Sequence, residues 1–136
     1  TSNTVRSPMA EGILKFLAGT RVFVDSCGVT PQDEPNSFMI AVMDEIGIDM
    51  TRHAPKSFDS LEDSSFDFVI SLSPEAQHKA VEMTRVMACE VEYWPTLDPS
   101  LIEGSRDAQI QAFRECRDNL LRRIRDRFPL VVAPTV

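Results

Sequence analysis

The stretch Thr1–Gly12, TSNTVRSPMAEG, decides how the rest of the chain is interpreted. Its Ser7-Pro8 pair is typical of a helix start, because serine caps helices and proline fits the first helical position. Met9 and Ile13 then begin an apolar pattern at helical spacing. The segment is therefore either a polar run before a capped helix, or a strand-to-helix loop whose strand lies before Thr1.

The composition fits one soluble domain over residues 1–136. Hydrophobic residues make up 43% of the chain and charged residues 26%, the balance of a globular protein. There is no apolar run of the roughly 20 residues that would span a bilayer, and no signal peptide is visible. We expect a cytoplasmic protein that does not bind membranes.

The net charge and the positions of the cysteines and histidines argue against several classes of function. A net charge of −7 argues against nucleic-acid binding but leaves a phosphate ligand open, because one arginine among backbone N–H groups can hold phosphate. Cys27, Cys89 and Cys116 contain no C-x-x-C pair, and His53 and His78 have no nearby ligand partner in the sequence. We expect neither a disulfide framework nor a metal site, and no cofactor.

Strands and helices alternate along the chain. Strands are predicted over 21–24, 66–72 and 91–94, and helices over 7–17, 36–46, from 74 to between 83 and 87, and 106–128. Gly12 is expected to matter for packing, Tyr93 and Trp94 are interpreted as core residues at a strand end, and the arginines of the last helix as a solvated face.

This alternation predicts a three-layer α/β/α domain with a parallel sheet. Such a domain feeds its first helix from a strand, so we expect roughly ten apolar-rich residues ahead of Thr1, which would bring the sheet to four strands. Without that strand the sheet would have a gap, and residues 1–136 alone are expected not to fold well.

A loop that ends at a helix N-terminus is suited to binding an anion. Its backbone N–H groups converge, and the helix dipole adds positive charge. Arg6 could clamp a tetrahedral oxyanion with two parallel hydrogen bonds, and Asn3 could hold the turn. From these local features alone, a capped helix with an exposed arginine remains the alternative.

SNTVRSPMAEG (2–12) resembles the signature of the low-molecular-weight protein tyrosine phosphatases: Cys, five residues, then Arg-Ser, commonly followed by Pro-Met-Ala-Glu. VDSCG (24–28), GIDMTRHAPK (47–56) and the pair Asp98-Pro99 match further family segments in the same order. The resemblance implies a flavodoxin-like strand order and places the nucleophilic cysteine immediately before Thr1.

The family mechanism implies a role for each matched residue. A cysteine thiolate attacks phosphorus, an aspartic acid protonates the leaving oxygen, and water hydrolyses the phosphocysteine. The resemblance assigns Arg6 to phosphate binding and transition-state stabilisation, Ser7 to lowering the thiol pKa, and Asp98 to general acid catalysis. The implied phosphate loop consists of Thr1, Ser2, Asn3, Thr4, Val5 and Arg6, with Asn3 braced by Ser26 and His53.

The leading hypothesis is a phosphatase that acts on a phosphorylated protein or a small phosphate monoester. Val5 stands where many members carry a second cysteine, and Ser100 and Leu101 replace tyrosines that stack on aromatic substrates, which weakens the case for phosphotyrosine. An arsenate reductase on the same fold is the alternative, disfavoured because SLSPEAQHKAVEM (71–83) lacks the two cysteines of that branch. A non-catalytic anion-binding regulator is expected if the residue before Thr1 is not cysteine.

Overall fold

The computed structural model describes residues 5–19, 24–28, 34–55, 67–84 and 89–128. Within these residues no helix is long and apolar enough to cross a membrane. The predicted strand over 21–24 lies almost entirely outside them, as do Thr1 to Thr4. The elements are α1 (Arg6–Ala18), α2 (Ser37–Asp44), β1 (Phe68–Ser71), α3 (Pro74–Met83), β2 (Glu90–Tyr93), a 3-10 turn (Pro99–Leu101) and α4 (Arg106–Arg127).

The two described strands form a parallel pair. Val69 lies opposite Val91, and α3 connects the strands and packs on both of them. This confirms a βαβ unit where the alternating pattern predicted one. The four-stranded sheet and its strand order stay predictions, because the described residues contain two strands.

A core of apolar side chains lies where α1, α2 and α4 meet the carboxyl ends of the strands. α4 packs on both α1 and α2. Leu72 and Trp94, each directly after a strand, join the sheet to this core. The remaining buried members are Val5, Met9, Ile13, Met39, Val42, Met43, Ile48, Met50, Phe113, Cys116, Leu120 and Ile124.

Three helices begin at side-chain N-caps, each at or next to the residue where the sequence predicts the helix to start. Asn36 Oδ1 accepts hydrogen bonds from the N–H groups of Phe38 (2.8 Å) and Met39 (3.1 Å) at the start of α2. Ser73 caps α3 and Ser105 caps α4 in the same manner. Because each cap satisfies a helical N–H group within three residues, these starts are local properties of the sequence.

The start of α1 differs from its prediction. The helix begins at Arg6, one residue before Ser7, and its N-cap is Val5, which supplies no side-chain cap. Pro8 is consequently the third helical residue. The interpretation of Ser7 as an N-cap is therefore wrong, and Arg6 lies at the positive end of the helix dipole.

Gly12 lies where α1 approaches Met43 of α2 and the segment after α2 closely. A β-carbon at this position would lie 2.8 Å from Met50 Sδ, 3.1 Å from Met43 Cε and 3.3 Å from Ile48 Cγ2. These distances are shorter than ordinary contacts between apolar atoms. The expected packing role of Gly12 is confirmed.

The arginines of α4 are not a uniformly solvated face. Arg117 is 8% exposed, Arg127 pairs with Glu92, and the Arg123 guanidinium lies over the Trp94 ring. The prediction is wrong for Arg117, which is buried where α4 packs on α2, whereas Arg123 is exposed as predicted. Trp94, only 4% exposed, is confirmed as a core residue, whereas Tyr93 is 37% exposed and its core assignment is wrong.

Candidate active site

Arg6 and Asp98, predicted as the phosphate clamp and the general acid, lie together at one end of the fold. Arg6 Nη2 is 3.8 Å from Asp98 Oδ2, and the side chains are 12% and 24% exposed. Arg6 Nη1 donates to the carbonyl oxygen of Thr96 at 2.7 Å. A cation at a helix N-terminus therefore faces a carboxylate across a partly exposed space, which suits the binding of an oxyanion.

The strands hold Thr96 in place. Beyond Tyr93, the N–H of Trp94 donates to Ser71 O (2.8 Å) and the N–H of Thr96 donates to Leu72 O (3.1 Å). The pairing of β1 and β2 thus continues as far as the residue that anchors Arg6. Sequence reasoning missed Thr96 because it contributes a backbone carbonyl, which any residue type could supply.

Asp98 is both a turn former and a member of the site. Its Oδ1 accepts hydrogen bonds from Ser100 N (2.9 Å) and Ser100 Oγ (2.6 Å), which cap the 3-10 turn. Its Oδ2 is the oxygen nearest to Arg6. One carboxylate oxygen therefore caps the turn while the other lies next to Arg6, and the general-acid role of Asp98 stays a prediction.

Of the other residues in the predicted phosphate loop and beside it, the structure describes Val5 and Ser7 only. Ser7 is half-buried in the first turn of α1, and Val5 is 5% exposed within the core. Thr1, Ser2, Asn3 and Thr4 lie outside the described residues, so their phosphate-binding roles stay predictions. The role of Ser7 toward a thiolate is also a prediction, because the cysteine it would contact is itself only expected, in the position before Thr1.

Ser26 and His53, predicted to brace the loop, meet at the carboxylate of Glu11. Ser26 Oγ donates a hydrogen bond to Glu11 Oε1, and His53 Nδ1 lies 4.0 Å from the same oxygen. Lys15 Nζ lies 2.5 Å from Glu11 Oε2. The side chains of Glu11 and His53 are 10% and 6% exposed. Glu11 belongs to the quoted signature, but no sequence pattern places it at this junction.

A cavity of about 600 Å³ opens between α1 and the 47–54 segment. Glu11 and His53 form part of its wall. The other lining residues are Gly12, Lys15, Phe16, Gly47, Ile48, Asp49, Met50, Arg52 and Ala54. The bracing of Asn3 by Ser26 and His53 stays a prediction, because Asn3 lies outside the described residues.

Cys116 is a buried thiol on α4 within electrostatic reach of the candidate site. Burial raises the pKa of this thiol to about 11, with the positive charge of Arg6 opposing the shift and the negative charge of Asp98 adding to it. At neutral pH Cys116 is therefore protonated and a poor nucleophile. In the described part of the chain, no three His, Cys, Asp or Glu side chains are grouped to hold a metal ion.

Comparison with known proteins identifies the family. The family model of the low molecular weight phosphotyrosine protein phosphatases matches residues 1–128. The chain belongs to this family. Among curated proteins, it is 31% identical over 126 residues to an arsenate reductase of Oceanobacillus iheyensis, covering 92% of this chain and 88% of that protein.

Solved structures of this family have the same fold. A structure described as a protein tyrosine phosphatase superimposes with a TM-score of 0.75 at 18% identity, covering 100% of this chain and 94% of the other. An arsenate reductase in a phosphate-binding state gives a TM-score of 0.68 at 25% identity, covering 95% and 92%. The predicted α/β fold class is therefore shared with solved proteins described by both names.

Proposed function

We propose that this protein hydrolyses phosphate monoesters through a phosphocysteine intermediate. The observation that carries the proposal is the approach of Arg6 Nη2 to Asp98 Oδ2, 3.8 Å apart at the start of α1. An oxyanion clamp next to a carboxylic acid is the pair that a phosphoryl transfer with a poor leaving group requires. The four-stranded sheet, whose first strand would present the nucleophile, is part of the same proposal.

Arg6 is oriented before substrate arrives. Its Nη1 is held by the Thr96 carbonyl at 2.7 Å, which fixes the guanidinium plane and leaves further N–H donors for phosphate. The dipole of α1 adds positive charge at the same point. Both favour the dianionic substrate, and more strongly the transition state, in which negative charge is spread over the equatorial phosphoryl oxygens.

Asp98 supplies the proton to the leaving group. As the thiolate sulfur bonds to phosphorus, the phosphorus–oxygen bond breaks and the leaving oxygen takes the proton. Asp98 then removes a proton from the water that attacks the phosphocysteine, which releases phosphate and restores the thiolate.

The nucleophile in this proposal is a cysteine immediately before Thr1. The expected substrates are a phosphorylated protein or a small phosphate monoester in the cytoplasm, and the mechanism uses only groups of the protein. Cys116 is not a substitute nucleophile, because its pKa is raised to about 11 by burial. A different residue before Thr1, with phosphate binding but no turnover, would favour an anion-binding regulator instead.

The test uses protein expressed from the complete coding sequence. Substitution of Arg6 by Ala is expected to lower kcat/KM for aryl phosphates by about 100-fold or more. Asp98→Asn should lower kcat for phenyl phosphate by about 100-fold but spare 2,4-dinitrophenyl phosphate, whose leaving group needs no proton. Asp107→Asn, at an exposed carboxylate in the first turn of α4, is the matched control. Normal turnover in the Arg6 variant would falsify the assignment.

Arsenate reduction is the second candidate, and the name of the Oceanobacillus relative favours it over the hydrolase. Reducing arsenate to arsenite takes two electrons, which a pair of thiols supplies by forming a disulfide. Against it stand the absence of cysteine from residues 67–84 and the burial of Cys116.

The two candidates are separated by assaying arsenite release with glutathione and glutaredoxin, or with thioredoxin, as the reductant. Arsenite release that is lost in Cys27→Ser or Cys89→Ser, together with no turnover of phenyl phosphate, would replace the hydrolase proposal. Hydrolysis of phenyl phosphate without arsenite release would support it.

A further inference from the structure

Exposed aliphatic side chains bracket the candidate general acid. Leu97 is 87% exposed, Leu101 76% and Ile102 42%. These are three of the seven large hydrophobic side chains that are exposed in the described residues, and all three lie within the 97–102 segment around Asp98. We call Leu97, Leu101 and Ile102 the aliphatic rim. Single exposed apolar residues are ordinary, but a cluster beside a site indicates a contact surface.

The backbone holds this rim at a fixed place relative to Asp98. The N–H of Leu101 donates to Asp98 O, and the N–H of Ile102 donates to Pro99 O, each at 3.2 Å. Pro99 is buried, and the turn packs on α4. A rigid apolar surface loses little conformational entropy when it binds a ligand, so its contacts contribute more fully to affinity.

The charges near the rim limit what it can accept. Glu103 and Asp107, both exposed, follow the rim along the chain, and the whole protein carries a net charge of −7. Nearby, the Arg106 guanidinium lies 5.4 Å from the centre of the Phe38 ring. Because Arg106 lies over the Phe38 ring, Glu103, Asp107 and the net negative charge disfavour an acidic group at the rim, whereas an apolar group is not affected by them.

We propose that the aliphatic rim binds an apolar side chain next to the phosphorylated residue of a polypeptide substrate. This inference rests on the proposed hydrolase function and names its substrate class. The phosphate would occupy the Arg6–Asp98 site, and the neighbouring aliphatic group would lie against Leu97 and Leu101. Substrates with acidic neighbours are expected to be poor.

The test compares three phosphotyrosine peptides that differ only in the two residues flanking the phosphotyrosine: leucine, alanine or glutamate. Complete burial of one leucine side chain favours association by about ten- to a hundredfold. Since the rim would be partly covered, we expect kcat/KM for the leucine peptide to exceed that for the alanine peptide by about tenfold. The glutamate peptide should be slower than both.

Leu97→Ser and Leu101→Ser should each remove most of the preference for leucine, measured as the ratio of kcat/KM between the leucine and alanine peptides. Leu97→Ser should leave kcat/KM for phenyl phosphate unchanged. Val81→Ser is the matched control, because Val81 is 46% exposed but lies on α3, which packs on β1 and β2. Equal rates for the leucine and alanine peptides, with normal phenyl phosphate turnover, would overturn the proposed role of the aliphatic rim without contradicting the proposed hydrolase function. So would a wild-type dimer in light scattering that Leu97→Ser dissociates, because the rim would then be a self-association surface. A wild-type protein inactive on phenyl phosphate would overturn both proposals.

Discussion

Replacing Arg117 with methionine is expected to destabilise the protein by about 1–4 kcal/mol, although no contact with the candidate site is lost. The Arg117 side chain is 10% exposed, and its Nη1 donates to Val42 O at 2.7 Å and to Glu45 Oε1 at 2.8 Å. Methionine keeps most of the apolar stem, so the substitution removes charge and hydrogen bonds more than packing.

The magnitude follows from the exposure of each partner. At the end of α2 the Ile46 N–H bonds to Met43 O, so the Val42 carbonyl depends on Arg117. A buried acceptor left unsatisfied costs about 1–3 kcal/mol. The Glu45 side chain is 38% exposed and keeps its ion pair with Arg114. Loss of the ion pair between Glu45 and Arg117 therefore adds at most about 1 kcal/mol.

Urea denaturation at pH 7, followed by far-UV circular dichroism, measures this loss as a change in the free energy of unfolding. Arg122→Met is the control, because Arg122 is exposed on the same helix and bonds to its neighbour Asn119. The control should stay within about 0.5 kcal/mol of the wild type. If Arg117→Met also stayed within that margin, the claim that Arg117 is a buried link between α4 and α2 would be refuted.

Two further predictions concern the same packing. Hydrogen bonds from Arg114 and then Arg117 lower the pKa of Glu45 from 4.5 to about 2, so its stabilisation is complete above pH 4.5 and is lost as the pH falls toward 2. After a discount for solvent screening, this stabilisation by ionised Glu45 is about 1 kcal/mol. The difference in unfolding free energy between the wild type and Glu45→Gln should therefore disappear as the pH falls from 5 to 2. Gly12→Val should lower the free energy of unfolding by about 1–3 kcal/mol, because its β-carbon would lie 2.8 Å from Met50 Sδ; equal or greater stability in urea would contradict the close approach.

Much of the fold could be predicted because its signals are local. The caps Asn36, Ser73 and Ser105 satisfy N–H groups within three residues, and each starts a helix where the sequence placed one. The strands were predicted over 66–72 and 91–94 and run over 68–71 and 90–93, since apolar and β-branched runs favour extended backbone. The start of α1 was misplaced because Val5 caps without a side chain, which leaves no pattern to read.

The sequence by itself determined the family, because the signature around Arg6 and the further matched segments, Asp98-Pro99 among them, occur in a fixed order. It also predicted that Arg6 and Asp98 belong to one site. The tertiary structure decided that Arg6 is anchored on the Thr96 carbonyl and that Ser26 and His53 meet at Glu11. It also decided that Arg117 is buried. Each of these contacts joins segments far apart in the chain, so each depends on which helix packs against which strand end. A backbone carbonyl such as that of Thr96 is present in every residue type, so the sequence carries no signal for its contact with Arg6.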